Sequence, residues 1–230
     1  MTVNLAVNTA PLESGDRLTR PEFERRYTND PEIHKAELIE GVVYVASPVR
    51  ATRHSSPHAL IMAWLIGYWT ATPGVDPHID ATVRLDEDNE PQPDALLRIE
   101  SEAIGNSIIS ADDYIEGAPE LVVEIAASSA SYDMNAKLNA YRRNGVKEYI
   151  VWQIYENKLD WFILKDSLYI PLQPDASGVI RSQVFPGLWL AVESLRDRNL
   201  QQLIAGLQQG LQTPEHQAFV ESLSQVEENQ

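Results

Sequence analysis

The chain predicts an α/β fold: one mixed β-sheet with flanking helices and a helical appendage at the C-terminus. Three observations predict it. Residues 119–152 read as strand, helix, strand, and that spacing implies a right-handed crossover between parallel neighbours. Residues 158–185 then alternate between strand-like runs and turn signals, as antiparallel strands do. Beyond Leu195, leucines recur at helical spacing. With 230 residues, 43% of them hydrophobic, the chain can bury a full core as one domain.

The elements follow in order. Residues 1–18 read as a flexible leader, 19–192 as the main domain and 193–230 as C-terminal helices. Thr19 and Glu22 have capping-box spacing, and Pro21 suits a first turn, so a helix is expected over 20–28. Residues 37–45 read as two strands or a bulged hairpin pivoting at Gly41. Arg53 to about Ala71 carries Leu60, Ile61, Trp64, Leu65 and Tyr68 at mostly helical spacing. Ala81–Leu85 alternates as a strand, residues 86–89 form an acidic turn, and Pro93-Asp94-Ala95 opens the next strand. Residues 100–118 are polar and read as a loop with at most one helical turn.

The stretch 119–145, PELVVEIAASSASYDMNAKLNAYRRNG, organises the rest. It places one carboxylate, Glu124, inside a run that otherwise reads as a buried strand. A helix follows, carrying Asp133, Lys137 and Tyr141 at intervals of four. Residues 148–152 form the next strand; 158–165, 168–172 and 178–185 are expected as a meander. Leu195, Leu200, Leu203, Ile204 and Leu207 mark one amphipathic helix. Thr213-Pro214 opens a second, with Phe219, Val220 and Leu223 inward. Their apolar faces suggest a homodimer.

Composition bounds the function. The chain has no cysteine, which excludes disulfides and thiolate metal sites and fits a reducing compartment. The first residues lack the basic flank and apolar core of a signal peptide, and Ala59–Tyr68 is too short to cross a bilayer. A soluble cytoplasmic protein without membrane partners is expected. The formal net charge of −16 argues against a protein that merely coats nucleic acid but does not exclude a nuclease, whose site must be acidic to hold a divalent cation. Local cations remain: Arg142, Arg143 and Lys147 in one patch, Arg50 and Arg53 in another. No Gly-rich phosphate loop appears, which disfavours nucleotide-cofactor enzymes.

A buried carboxylate needs a cation, a hydrogen-bonding partner or a proton. If the strands bearing Asp94 and Glu124 are neighbours, both can converge on one hard cation, with Mg²⁺ or Mn²⁺ the natural choice. Plainer readings stand beside this one. Asp94 can be a strand-opening residue after proline, and Glu124 can be half of a structural ion pair with Lys137. Lys137 can form an ordinary helix pair with Asp133 worth a few tenths of a kcal/mol. His54 can simply face solvent at a helix start, and Tyr141 can pack in the core with its hydroxyl bonded.

Pro93-Asp94, followed by LVVEIAASSASYDMNAKLNAYRRNGVKEYIVW, resembles the core signature of the Uma-type restriction-endonuclease-like family, abundant in cyanobacteria. ELIEGVVYVASP at 37–48, His54 and FPGLWL at 185–190 resemble its other segments in the same order, over roughly residues 19–192. That family belongs to the PD-(D/E)XK superfamily, so the resemblance implies a restriction-endonuclease-like fold and a metal-dependent endonuclease acting on nucleic acid, DNA foremost. It assigns Asp94, Glu124 and the carbonyl of Ile125 to the metal and Lys137 to catalysis. Glu37 corresponds to an accessory acid of some members, with Glu40 the weaker candidate, and His54 is a further accessory position. The chain departs from the superfamily pattern at Ala126, where lysine is usual; the resemblance implies that Lys137 has taken over its role. The alternatives are a catalytically inactive nuclease-fold interaction module and a hydrolase of some other phosphate ester.

Overall fold

The computed structural model describes residues 10–46, 50–127 and 129–227; most of the expected leader, and Ser47 and Pro48 of the 37–48 segment, lie outside them. Helix α1 (Arg20–Thr28) has the expected limits. Its capping box, however, does not form. Thr19 makes no side-chain cap, and Glu22 pairs with Arg25 and Arg26 instead, each at 2.7 Å. Strands β1 (Ala36–Ile39) and β2 (Val42–Val45) make an antiparallel hairpin over α1. Its two turn residues, Glu40 and Gly41, have φ of 52° and 72°, the doubly left-handed backbone that a tight two-residue turn requires. Phe23, Leu38 and Val43 fill the small core between hairpin and helix.

A π-helical turn (Ala51–Ser55) leads into α2 (Ser56–Trp69). This helix buries residues around most of its girth because it lies between the sheet and the C-terminal helices. Strand β3 (Val75–Ile79) follows, then β4 (Val83–Arg84), β5 (Ala95–Ile99), β6 (Ser107–Ile109), β7 (Ile115–Gly117) and β8 (Leu121–Ala126). The crossover comprises α3 (Ala130–Tyr132), a second π-helical turn (Asp133–Lys137) and α4 (Leu138–Asn144), which Gly145 closes at φ 87°. It returns into β9 (Glu148–Gln153), then β10 (Lys158–Lys165) and β11 (Leu168–Pro171). β12 (Val179–Arg181), β13 (Trp189–Ala191) and helices α5 (Val192–Arg196), α6 (Leu200–Leu211) and α7 (Pro214–Glu227) complete the chain.

The main sheet runs β11-β10-β9-β8-β5-β3. Only β8 and β9 are parallel, joined by the crossover as expected; the other pairs are antiparallel. Three expectations need correction. The strand expected over 81–85 shrinks to two residues, and the loop expected over 100–118 supplies β6 and β7, which join β4 in a separate three-stranded sheet. The segment expected to end the meander leaves the main sheet, because β12 pairs with β13.

One face of the sheet packs on α2 and the C-terminal helices through Trp64, Trp152, Trp161, Leu203 and Leu207. The Trp64 indole donates to the Trp189 carbonyl at 2.9 Å, and its ring meets Trp161 edge-on. The apolar face of α6 is thus spent inside the chain, each buried leucine contributing about 1.5–3 kcal/mol. The opposite face, with Val122, Ala126, Tyr149 and Val151, packs under Tyr141 of α4. Glu124 lies on this second face, between Val122 and Ala126 by the period of two.

Candidate functional site

The site forms where β8 outruns β5. The last pair between them is Ala95↔Val123, and the same register would set Pro93 opposite Ile125. Proline has no N–H, so it cannot donate to the Ile125 carbonyl and the ladder stops. The Ile125 N–H turns instead to the Asp94 carboxylate, donating to Oδ2 at 2.7 Å. Asp94 therefore caps the unfinished ladder with its side chain. Its other oxygen, Oδ1, is 3.0 Å from His54 Nε2 and 3.8 Å from Lys35 Nζ. Burial alone would raise this carboxyl, but the His54 hydrogen bond, the charges of His54 and Lys35 and the Ile125 amide outweigh it and hold Asp94 below its ordinary value. The same bond raises His54 against the opposing effect of its burial. His54 sits in the π turn before α2, half-buried against Asp94, not turned to solvent.

Glu124, 3% exposed, lies next along β8. Lys137 Nζ and Tyr141 Oη both donate to its Oε1 at 2.9 Å. Lys137 also reaches Glu37 Oε1 at 2.8 Å and Asp133 Oδ1 at 3.8 Å, with the Tyr132 ring 5.4 Å away. The second π turn explains the grouping: its wider coil buries both its ends, Asp133 and Lys137. The plain exposed-pair reading of Lys137 is thereby replaced by a buried cluster. Tyr141 does what was expected of it, packing in the core with its hydroxyl bonded.

One ammonium serves three carboxylates, and that imbalance sets the electrostatics. Burial disfavours a charged Lys137, but Glu124, Glu37 and Asp133 together overcome it and hold the amine well above its ordinary value. Glu124 moves up as well: burial dominates, Lys137 opposes it, and Asp133, Asp94 and Glu37 add repulsion. Both directions are compatible, since a shared lysine keeps its proton while compensating no single acid fully. Asp133, pushed up chiefly by burial, reaches about 6.

A cavity of about 970 Å³ opens on this cluster, and Glu37, His54, Asp94, Glu124, Ile125 and Lys137 all line it. Glu40 does not. It sits on the hairpin turn, 3.7 Å from Arg143. Lys35, Tyr44, His58, Asp80 and Tyr132 also line the cavity and were not singled out in the sequence. They arrive from separate segments and carry no local signature, although Lys35 immediately precedes β1 and Tyr132 immediately precedes Asp133.

The donor set suits a hard divalent cation. Oxygen ligands dominate the floor, carboxylates outnumber the lysine that faces them, and the Ile125 carbonyl has no N–H to meet at Pro93. Among the described residues no three His, Asp or Glu side chains form a ready metal cage. A cation here would therefore rest on two carboxylates, a carbonyl and water.

Comparison with known proteins agrees with this architecture. No curated protein matches the chain. A crystal structure described as "a putative nuclease belonging to DUF820" from Anabaena variabilis ATCC 29413 is 14% identical. It superimposes with a TM-score of 0.53 over 80% of this chain and 97% of that one, a likeness of fold. The model of the Uma2 family, described as "Putative restriction endonuclease", matches residues 20–193. The mixed sheet with its crossover and flanking helices is thus that of a restriction-endonuclease-like fold, and the chain belongs to the Uma2 family.

Proposed function

We propose that the cavity is the active site of a metal-dependent endonuclease, with residues 19–192 as the nuclease unit, 193–230 as its helical appendage and the cytoplasm as its setting. The observation that carries this reading is the pairing of two deeply buried carboxylates, Asp94 and Glu124, with a main-chain carbonyl at the point where the sheet stops. Asp94, Glu124 and the Ile125 carbonyl would hold Mg²⁺ or Mn²⁺. Such a cation supplies Lewis-acid polarisation of a phosphodiester.

The chain's own residues have definite parts. The Ile125 amide and His54 fix both oxygens of Asp94, so the carboxylate is preorganised. Tyr141 and Lys137 do the same for Glu124 from one side, engaging only Oε1. Lys137 holds the attacking water or offsets the charge that builds on the phosphate. It replaces the lysine absent at Ala126, whose small side chain packs beneath Tyr141. The substrate is nucleic acid, with DNA the first to test.

Calorimetric titration of Mg²⁺ and Mn²⁺ into wild type and Asp94→Asn, with plasmid and single-stranded DNA incubated in parallel, tests the reading. Binding lost in the variant, together with metal-dependent cleavage by wild type, is the expected result. A specific observation favours a second reading, a non-catalytic interaction module: Lys137 is already engaged by acids. Metal binding without cleavage of any nucleic acid would favour that reading.

A further inference from the structure

The cavity changes character from floor to mouth. Most of its acids lie deep: Asp94, Glu124, Asp133 and Glu37 are buried, while the one exposed acid of the lining, Asp80, is paired with Lys35 at 2.6 Å. Its mouth carries cations and an aromatic ring. Arg50 and Tyr155 line it, and both are exposed. Tyr155 lies two residues past the end of β9 and is 52% exposed. Arg53 lies beside it, its guanidinium 4.8 Å from the ring centroid and its Nη1 donating to the tyrosine hydroxyl at 2.6 Å. This holds the ring in place from one side, and no other aromatic ring packs on it among the described residues. His58 lines the same cavity, and its buried Nε2 has no hydrogen-bond partner among the described residues.

An exposed aromatic pinned by one arginine, with a second arginine lining the same cavity, is an unusual rim for a chain of net charge −16. Exposing the ring costs hydrophobic free energy and serves no core. The combination is what a single nucleic-acid strand needs, a flat face for a base and guanidinium groups for the adjoining phosphates. A duplex fits less well. Its bases are already stacked, and its backbone would have to carry a phosphate down to acids that are almost wholly buried.

We propose that the mouth is a subsite for single-stranded nucleic acid, with one base stacked on Tyr155 and the adjoining phosphate held by Arg53 and Arg50. The proposal rests on the nuclease reading of the same cavity and adds the class of substrate.

Fluorescence anisotropy with labelled oligo-dT and with a duplex of equal length, with and without Mg²⁺, tests it on the full chain. Cleavage is followed separately on gels. The expected result is tighter binding of the single strand. Tyr155→Ala should weaken it about tenfold and Tyr155→Phe much less, since stacking on a ring is worth on the order of a factor of ten. Arg53→Ala should flatten the log–log salt dependence by about 0.7. Thermal melting of each variant should match wild type, because both side chains are exposed. Equal affinity for duplex, or a Tyr155→Ala protein that melts normally and binds like wild type, overturns the proposal even if plasmid is cleaved. Tyr155-dependent binding without cleavage upholds the subsite and counts against the nuclease reading instead.

Discussion

Replacing Lys137 by methionine removes the one ammonium that reaches Glu124, Glu37 and Asp133 among the described residues. The contacts are 2.9 Å to Glu124 and 2.8 Å to Glu37, and at an effective dielectric of about 20 each is worth about 6 kcal/mol of attraction. Most of that offsets the several kcal/mol needed to strip water from each ion. Losing the cation nevertheless leaves the acids facing one another in a dry site, and breaking a buried pair in this way costs about 3–5 kcal/mol. Glu124 and Asp133, already raised, relieve part of the repulsion by taking up protons, so the lower end applies near neutral pH. For a chain of this size about 3 kcal/mol lowers Tm by roughly 6–12 °C. Differential scanning calorimetry measures it directly. The double variant Lys137→Met, Glu124→Gln should recover at least about 1 kcal/mol relative to additivity, because it removes the stranded charge with its partner. A single variant that melts within about 2 °C of wild type would refute the shared-lysine account.

Other outcomes follow from the same structure. Tyr141→Phe removes the hydroxyl that donates to Glu124 Oε1 and should cost about 1.5 kcal/mol in urea denaturation, with no change in secondary structure. Burial pushes Glu148 up from 4.5 to about 7, despite donors from Gln183, Ser182, Val184 and Trp161. Its folded form binds the proton more tightly than its unfolded form, so its stabilising share is complete below about pH 4.5 and disappears as pH rises through 7. Wild type should therefore lose more stability between pH 5 and 8 than Glu148→Gln does, read from Tm at each pH. Alanine at Gly210 would place a Cβ against the Gly187 carbonyl and 2.7 Å from Trp189 Cγ. Overpacking there should cost about 1–3 kcal/mol, and limited proteolysis should show α6 and α7 released first.

Much of the site could be read from the sequence because its carriers break local rules. Glu124 stands out as the lone acid in a strand that is buried at every position, and Asp94 follows a proline at a strand start. Lys137 is legible from its helical spacing, but its depth is not. The π turn that buries it adds no distinctive residue, and periodicity counted at 3.6 places it at the rim. Strand β3 escaped because VDPHI carries a proline and an aspartate, tolerable only at the edge where it lies. β6 and β7 are three residues each, too short for alternation to register. The pairing of β12 with β13 depends on contacts that no local pattern encodes. Lys35, Tyr44 and Asp80 reach the cavity only after the hairpin and the β3–β4 turn have folded, so nothing in their own segments marks them.

The stopped ladder also bears on how this protein will respond to mutagenesis. The grip on Asp94 comes from His54, which any scan can delete, and from the amide of Ile125, which no ordinary scan can. Alanine or valine at 125 keeps that N–H intact and would score as a packing change alone. An alanine survey would thus class 125 as a packing position only, although its peptide group orients the acid across the ladder. Only replacement of the amide itself, by an ester linkage between residues 124 and 125, would expose the debt.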